Sequence, residues 1–410
     1  MEILHVAHAY PPSRGGAQTW IARVSAQLAA QYNDEVKVFT TTALNTEHFW
    51  GQDTAALPPG VEHIDGVTVR RFPVFNRFNR LRWLLSGLAY RLRLPFNDYL
   101  RTWETGPFIP GLRRAVTTSG ADVVLATSFP LWHMYDALAG AKRGNLPIVF
   151  MGALHLEDAW GYHRPMIYRA IRAADGYVAL TSYERDLLVD EYGVAAHKII
   201  VAGSGVDVTT PSACLPAELR RRYGWGDAPL ILSLGKQTSR KRFDLLLDAM
   251  RLVWQDQSDV YLVIAGADTP YAAEIERMIA TLPPYARRRV QRLGQIDDTL
   301  KAGLLATCDC FVLASGHESF GIAFVEAWAL GKPVIGARHG AIATLIAHDV
   351  DGLLFDYPDP SNLAQQIRRL LADPAWAQSL GAAGRHKMQQ YYTWPQVTAQ
   401  VRALYTQVIQ

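Results

Sequence analysis

Two carboxylates, Glu318 and Glu326, stand with seven residues between them in the stretch SGHESFGIAFVEAWALGKPVI. Glu326 has Ile322, Phe324, Val325, Ala327, Trp328 and Leu330 around it in sequence. An ionised carboxylate among apolar neighbours is costly unless something pairs with it. The hydroxyls of a vicinal diol, such as a ribose, are suitable donors. The alternative is a core glutamate bonded to a backbone amide or a basic side chain. Earlier in the chain, LSLGKQTSRKRFDLLLDA carries Lys236, Arg240, Lys241 and Arg242. Cations crowded where a strand passes into a helix can hold a diphosphate without metal, each charged hydrogen bond being worth about 1.5–3 kcal/mol. The plainer reading is a solvated basic turn. Near the start, HAYPPSRGGAQTW sets Gly15 and Gly16 at a helix opening, where bare backbone amides suit an anion. It is neither a Walker loop nor a full G-x-G-x-x-G, so those cofactor sites are excluded. His155, Glu157 and Asp158 follow the apolar run PIVFMGA and are either site groups or structural ones.

These residues need a scaffold. ILHVAH, EVKVFTT, VTVRRF, DVVLATS, PIVFMGA, GYVALT and KIIVAG read as strands, with helical patterns such as 18–30 and 166–173 between most of them. A second series follows: PLILSLG, VYLVIAG, RVQRLG, DCFVLAS, PVIGA and GLLF. Strands alternating with helices, and apolar without strict alternation, imply parallel sheets covered on both faces. We expect an α/β chain of two Rossmann-like domains facing across a cleft, spanning residues 1–205 and 206–392. A last helix, 393–410, is expected to cross back onto the first domain. In open α/β sheets ligands bind beyond the carboxyl ends of the strands. Glu318 then lies in the loop after DCFVLAS, before a helix opened by Gly321 and Ile322. The amides near Ser319, Phe320 and Gly321 form an anion cradle at that helix start, and Glu326 lies within the helix.

The E-x7-E pattern of Glu318 and Glu326 resembles the signature of the retaining nucleotide-sugar glycosyltransferases of family 4, which have the GT-B architecture. PPSRGG, VAGSGVD, GKQTSRKRFDLLLDA and GKPVIGARHGAIATLIAHDVDGLLF resemble further family segments in the right order, so the likeness covers nearly the whole chain. It implies that Lys236, in a place usually held by arginine, and Lys241 neutralise the donor diphosphate. It implies that Glu318 bonds the transferred sugar, Glu326 the nucleotide ribose, and the amides of Phe320–Ile322 phosphate and sugar oxygens. Gly16 is implied to approach the donor phosphates, and His155 to contact the sugar near the reacting carbon. Arg242, Ala341 and Thr344 depart from the usual glycine, glycine and glutamate. The reaction so implied is transfer of a hexose from a nucleoside diphosphate sugar to an acceptor hydroxyl, with retention and without metal or other cofactor. A nucleotide-sugar epimerase, a sugar phosphorylase and a non-catalytic nucleotide-sugar-binding protein are the alternatives.

The bulk numbers set limits. A net charge of +3 is too small to argue for nucleic acid. Three cysteines (214, 308, 310) do not suggest a disulfide framework and suit a reducing compartment. Cys308 and Cys310 are read as strand packing, and the Asp349-Val350-Asp351 run as a turn and not a metal motif. Met1 leads directly into a short strand, and no apolar run reaches the roughly 18 residues of a membrane span. A cytoplasmic protein is expected, soluble or peripheral at the inner face of the plasma membrane. The second option comes from NRFNRLRWLLSGLAYRLRL, where Arg77, Arg80, Arg82, Arg91 and Arg93 interleave with Trp83 and leucines. That pattern suits an interfacial helix on anionic lipid and, in that event, a lipid-linked acceptor in envelope glycolipid or polysaccharide synthesis. It equally suits a helix packed on its own domain with its arginines in water and a saccharide acceptor.

Overall fold

Runs of leucine, isoleucine and valine become buried strands, because β-branched and apolar side chains fit a pleated surface covered on both faces. The computed structural model describes all residues except 52–54, 156–157 and 208–214, and divides the chain into units of 1–205 with 394–410, and 206–393. Glu157 and Cys214 lie outside the described residues.

The first unit holds β1 (Glu2–Val6), β2 (Glu35–Thr41), β3 (Gly60–Ile64), β4 (Val67–Phe72), β5 (Val123–Thr127), β6 (Ile148–Met151), β7 (Gly176–Ala179) and β8 (Ile199–Val201). Their spatial order is β3-β4-β2-β1-β5-β6-β7-β8, parallel throughout except that β3 runs antiparallel to β4. The direction of winding reverses between β1 and β5, which pair in register from Ile3 with Val123. The final helix, Trp394–Ile409, packs on this unit. His5 of β1 bonds both Ser25 Oγ (2.7 Å) and Tyr405 Oη (2.9 Å), and Arg402 donates to Asp34 over 2.8 and 3.1 Å. Trp20 Nε1 donates to the Gly203 carbonyl, tying the first helix to the turn after β8.

The second unit holds β9 (Leu230–Leu234), β10 (Tyr261–Ala265), β11 (Val290–Leu293), β12 (Cys310–Leu313), β13 (Val334–Ala337) and β14 (Leu353–Phe355), all parallel in the order β11-β10-β9-β12-β13-β14. Here the reversal falls between β9 and β12, which pair at Ile231–Cys310 and Leu232–Phe311. The loops leaving the carboxyl ends of β9 and β12 are therefore neighbours, and they carry Lys236–Lys241 and Glu318–Gly321.

Cys308 and Cys310 are free and buried, and burial pushes the Cys308 thiol up to about 12. Asp351 is structural: its carboxylate accepts from the Ala347 amide (2.8 Å) and from Lys387 (2.8 Å). Among the described residues no His, Cys, Asp and Glu group could hold a metal ion, and no helix is long and apolar enough to cross a membrane. One surface residue is corrected: Arg82 is buried, at 2% exposure. Its guanidinium lies over the Phe108 ring and donates to the Trp103 carbonyl, so it holds the helix Asn79–Arg91 down. Arg77, Arg80, Trp83, Arg91 and Arg93 are exposed.

Candidate active site

In the second unit, β9 ends at Leu234, and the next residue, Gly235, is packed so closely that a Cβ on Gly266 would clash with its carbonyl oxygen. Gln237 is fully buried and anchors the following loop, donating to the Gly266 (2.8 Å) and Leu293 (3.0 Å) carbonyls while Arg292 donates to it. The anchored loop leaves Lys236 and Arg240 exposed, and neither makes an ion pair among the described residues. Lys241 turns back, so that a Cβ on Gly235 would meet its Cε at 3.1 Å. Its Nζ donates to Glu318 Oε1 over 2.5 Å.

Arg242 occupies a left-handed conformation (φ 51°) at the start of the helix Phe243–Asp256. That backbone accounts for the glycine of the family pattern, since only glycine adopts it freely. The arginine is held by two 3.0 Å bonds to Asp244 and by donating to Tyr357 Oη (2.8 Å). Hydrogen bonding to Asp244 raises its pKa further above the ordinary arginine value. Tyr357 also supports the other loop. A Cβ on Gly316 would meet its ring at 2.6 Å, and the rings of His317, His339 and Tyr357 cluster within 5.6–6.2 Å. This aromatic support escaped the sequence reading, because its parts come from three separate segments.

The loop after β12 ends at Gly321, φ 95°, where an added Cβ would meet Ile342 Cδ1 at 2.6 Å. The left-handed backbone favours glycine, and an added Cβ would have to push the end of the Ile342 side chain aside. The helix Ile322–Ala329 opens with no side-chain cap. Its first-turn amides lack intrahelical acceptors and point their partial positive charge outward. Ser319 is half-buried beside them, and Phe320 is buried against Tyr392. Glu318, Lys241 and this helix end thus come together at the reversal point.

Glu326 has a basic partner, as one of the two readings of its setting required: Lys301 Nζ donates to Glu326 Oε1 over 2.9 Å, and the Glu326 side chain is 23% exposed. Although partial burial works against it, the Glu326 charge holds the Lys301 ammonium above its usual pKa. Sequence inspection missed Lys301 because it lies on a separate helix, Asp298–Thr307, 25 residues away. At the other family departures, Ala341 is buried and Thr344 Oγ1 donates to its carbonyl over 2.8 Å.

In the first unit, the loop after β1 is held by Ser13 Oγ donating to the Leu44 carbonyl (2.7 Å) and by Arg71 donating to the Pro11 carbonyl. Gly15 and Gly16 are exposed at the uncapped start of the helix Gly16–Tyr32. A Cβ on Gly15 would strike Gln18 Oε1 at 2.3 Å, whereas Gly16 has open space. Gln18 bonds His8 (3.1 Å), which with His133 lies at the β1/β5 reversal; burial lowers these imidazoles to about 4 and about 3. Both were unremarked in the sequence. His155 follows β6, half-buried, its ring edge-to-face with Tyr162 at 5.7 Å. Asp158 is a helix cap, accepting from the Gly161 amide. Beneath this loop, buried Glu184 accepts from Tyr177 Oη (2.6 Å) and the Leu180 amide (2.8 Å).

Two parallel α/β units, each with its loop cluster at a winding reversal, define a nucleotide-binding class of fold. Residues 217–387 match the family model for glycosyl transferases group 1, and residues 14–210 match that for glycosyltransferase family 4. A D-inositol 3-phosphate glycosyltransferase of Frankia alni is 30% identical over 393 residues, 90% of each chain. A GDP-mannose-dependent alpha-(1-6)-phosphatidylinositol monomannoside mannosyltransferase of Mycolicibacterium smegmatis is 25% identical, covering 96% of this chain and 95% of that one. Among solved structures, Anabaena HepE in complex with UDP superposes with a TM-score of 0.76 at 18% identity, over 99% of this chain and all of that one. The chain belongs to the family 4 glycosyltransferases of GT-B fold and is a transferase enzyme.

Proposed function

We propose that the chain moves a hexose from a nucleoside diphosphate sugar to an acceptor hydroxyl, retaining the anomeric configuration. The observation that carries the reading is the meeting of Lys241, Glu318 and the uncapped helix end at the β9/β12 reversal. In this reading the first-turn amides of Ile322–Ala329 and the ammonium of Lys241 take the diphosphate, with Lys236 and Arg240 adding positive charge. As the bond to the sugar breaks, negative charge grows on the departing diphosphate. Groups fixed in place beforehand stabilise that charge without reorganising. Glu318 accepts from sugar hydroxyls. Glu326 accepts from ribose hydroxyls through oxygen lone pairs that its bond to Lys301 leaves unused. For the first unit, the family likeness alone assigns Gly16 to phosphate oxygens and His155 to a sugar.

Retention rests on the family likeness. The relatives act on inositol phosphate and phosphatidylinositol glycosides, which supports a saccharide or lipid-linked acceptor and a place in envelope glycoconjugate synthesis. No metal enters the scheme, because the cationic side chains and helix amides carry the neutralisation. The test is nucleoside diphosphate release from UDP-, GDP- and ADP-sugars with and without candidate acceptors, followed by NMR of the product's anomeric centre. Acceptor-dependent release with an unchanged anomer supports the reading. Release independent of acceptor, or inversion, contradicts it.

A further inference from the structure

The helix Asn79–Arg91 is packed with its polar side inward. Its buried residues are Arg82, Ser86 and Ala89, spaced i, i+4, i+7 on one face. Leu81, Leu84, Leu85 and Leu88 recur at i, i+3, i+4, i+7 on another, and all are exposed, at 38–59%. A surface helix normally turns its apolar stripe to the core. Trp83 (68%) and Leu92 (59%) widen the apolar area. At either end Phe78 and Phe96 stand 68% and 70% exposed on left-handed backbone (φ 65° and 60°). A bulky residue is uncommon in that conformation. Contiguous apolar surface of this kind marks an interaction site.

Charge selects the occupant. Arg77, Arg80, Arg91 and Arg93 are exposed around the leucines, and the sequence from Gly66 to Asn97 contains no acid. The nearest following carboxylate, Asp98, is buried and accepts from the Met166 amide. A second copy of the chain would bring the same four cations against these. A protein partner would need an acidic rim around an apolar floor. An anionic bilayer supplies both halves at once, with headgroups for the guanidiniums and acyl chains for the leucines. We propose that residues 75–96 form a docking surface for an anionic lipid bilayer, with the leucine stripe lying in the interface and the four arginines at headgroup level. The inference stands on this surface alone and is independent of the donor site.

Flotation of the full chain with vesicles tests it, comparing phosphatidylcholine alone with phosphatidylcholine containing phosphatidylglycerol. The expected result is binding only where phosphatidylglycerol is present, reduced by salt. Replacing Arg77, Arg80, Arg91 and Arg93 with glutamine lowers binding more than about tenfold. Leu84→Ser with Leu88→Ser lowers it as well, while the same charge loss at exposed Arg221, Arg222, Arg277 and Arg288 of the other unit leaves it unchanged. Circular dichroism of each variant confirms folding. Absence of binding by the wild type, equal binding by the four-glutamine variant, or a stable dimer in light scattering that the leucine changes dissolve would overturn the proposal.

Discussion

Lys241 Nζ donates to Glu318 Oε1 over 2.5 Å, joining the loops that leave β9 and β12 where the strand order reverses. The two side chains are only 21% and 14% exposed. Either one, left alone, keeps a partly desolvated charge. Two further N–H groups of the ammonium remain for an anion.

Removing that ammonium should cost catalysis more than folding. Lys241→Met is expected to lower kcat/KM on the order of a hundredfold, as for loss of one fixed transition-state donor. Initial rates of nucleoside diphosphate release measure it. A loss within about twofold would show that Lys241 does not meet the leaving group.

Glu326 and Lys301 can be separated by a double-mutant cycle. Their pair is partly exposed, so its coupling in thermal stability should be modest, about 0.5–1 kcal/mol. Glu326→Gln is expected to weaken donor binding by about tenfold, as expected for loss of a charged hydrogen bond, and Lys301→Met by much less. Equal losses in the two variants would reduce Glu326 to a structural ion pair.

Gly321 carries two constraints, a φ of 95° and a Cβ position 2.6 Å from Ile342 Cδ1. Gly321→Ala should destabilise the protein by about 1–3 kcal/mol and displace the helix start it precedes. Urea denaturation with a parallel donor-binding assay reads both effects. Full stability combined with full binding would contradict the assignment.

Glu184 gives a pH signature. Burial raises its carboxyl to about 7, against hydrogen bonds from Tyr177 and backbone amides that favour the charged form. A carboxyl raised in the folded state holds its proton there while the unfolded chain releases it, so its contribution to stability falls as pH rises from about 4.5 to about 7. The fall is on the order of 3 kcal/mol. Buried His5, His8 and His133, lowered to about 3, 4 and 3, work in the opposite sense, weakening the fold as pH drops below about 6.5. The difference between wild type and Glu184→Gln cancels the histidines. That difference should favour wild type at pH 5 and shrink by pH 8, as read from thermal midpoints. A difference independent of pH would show that Glu184 does not titrate in this range.

The parallel strands were legible in the sequence because burial on both faces makes each a continuous apolar run. β3 was not, because Gly60–Ile64 is an edge strand, exposed along most of its length. Its signal was the Asp65-Gly66 pair joining it to β4, with both φ values positive (48° and 78°), the conformation of a tight hairpin turn. The loop position of Glu318 and the helical position of Glu326 followed from strand-to-helix order. Lys301 did not, since pairing across 25 residues leaves no local trace. The basic segment 77–93 showed its composition but not its orientation. Arg80 and Arg82 lie two residues apart, and only packing against Phe108 and Trp103 distinguishes the buried one from the exposed one.

Binding of a nucleotide-sugar diphosphate by the β9/β12 loops is tested by calorimetric titration of UDP-, GDP- and ADP-hexoses into wild type and Lys241→Met. At least one donor class is expected to bind the wild type and to bind the variant about tenfold or more weakly. Binding of no donor, or equal affinity in both proteins, would contradict it.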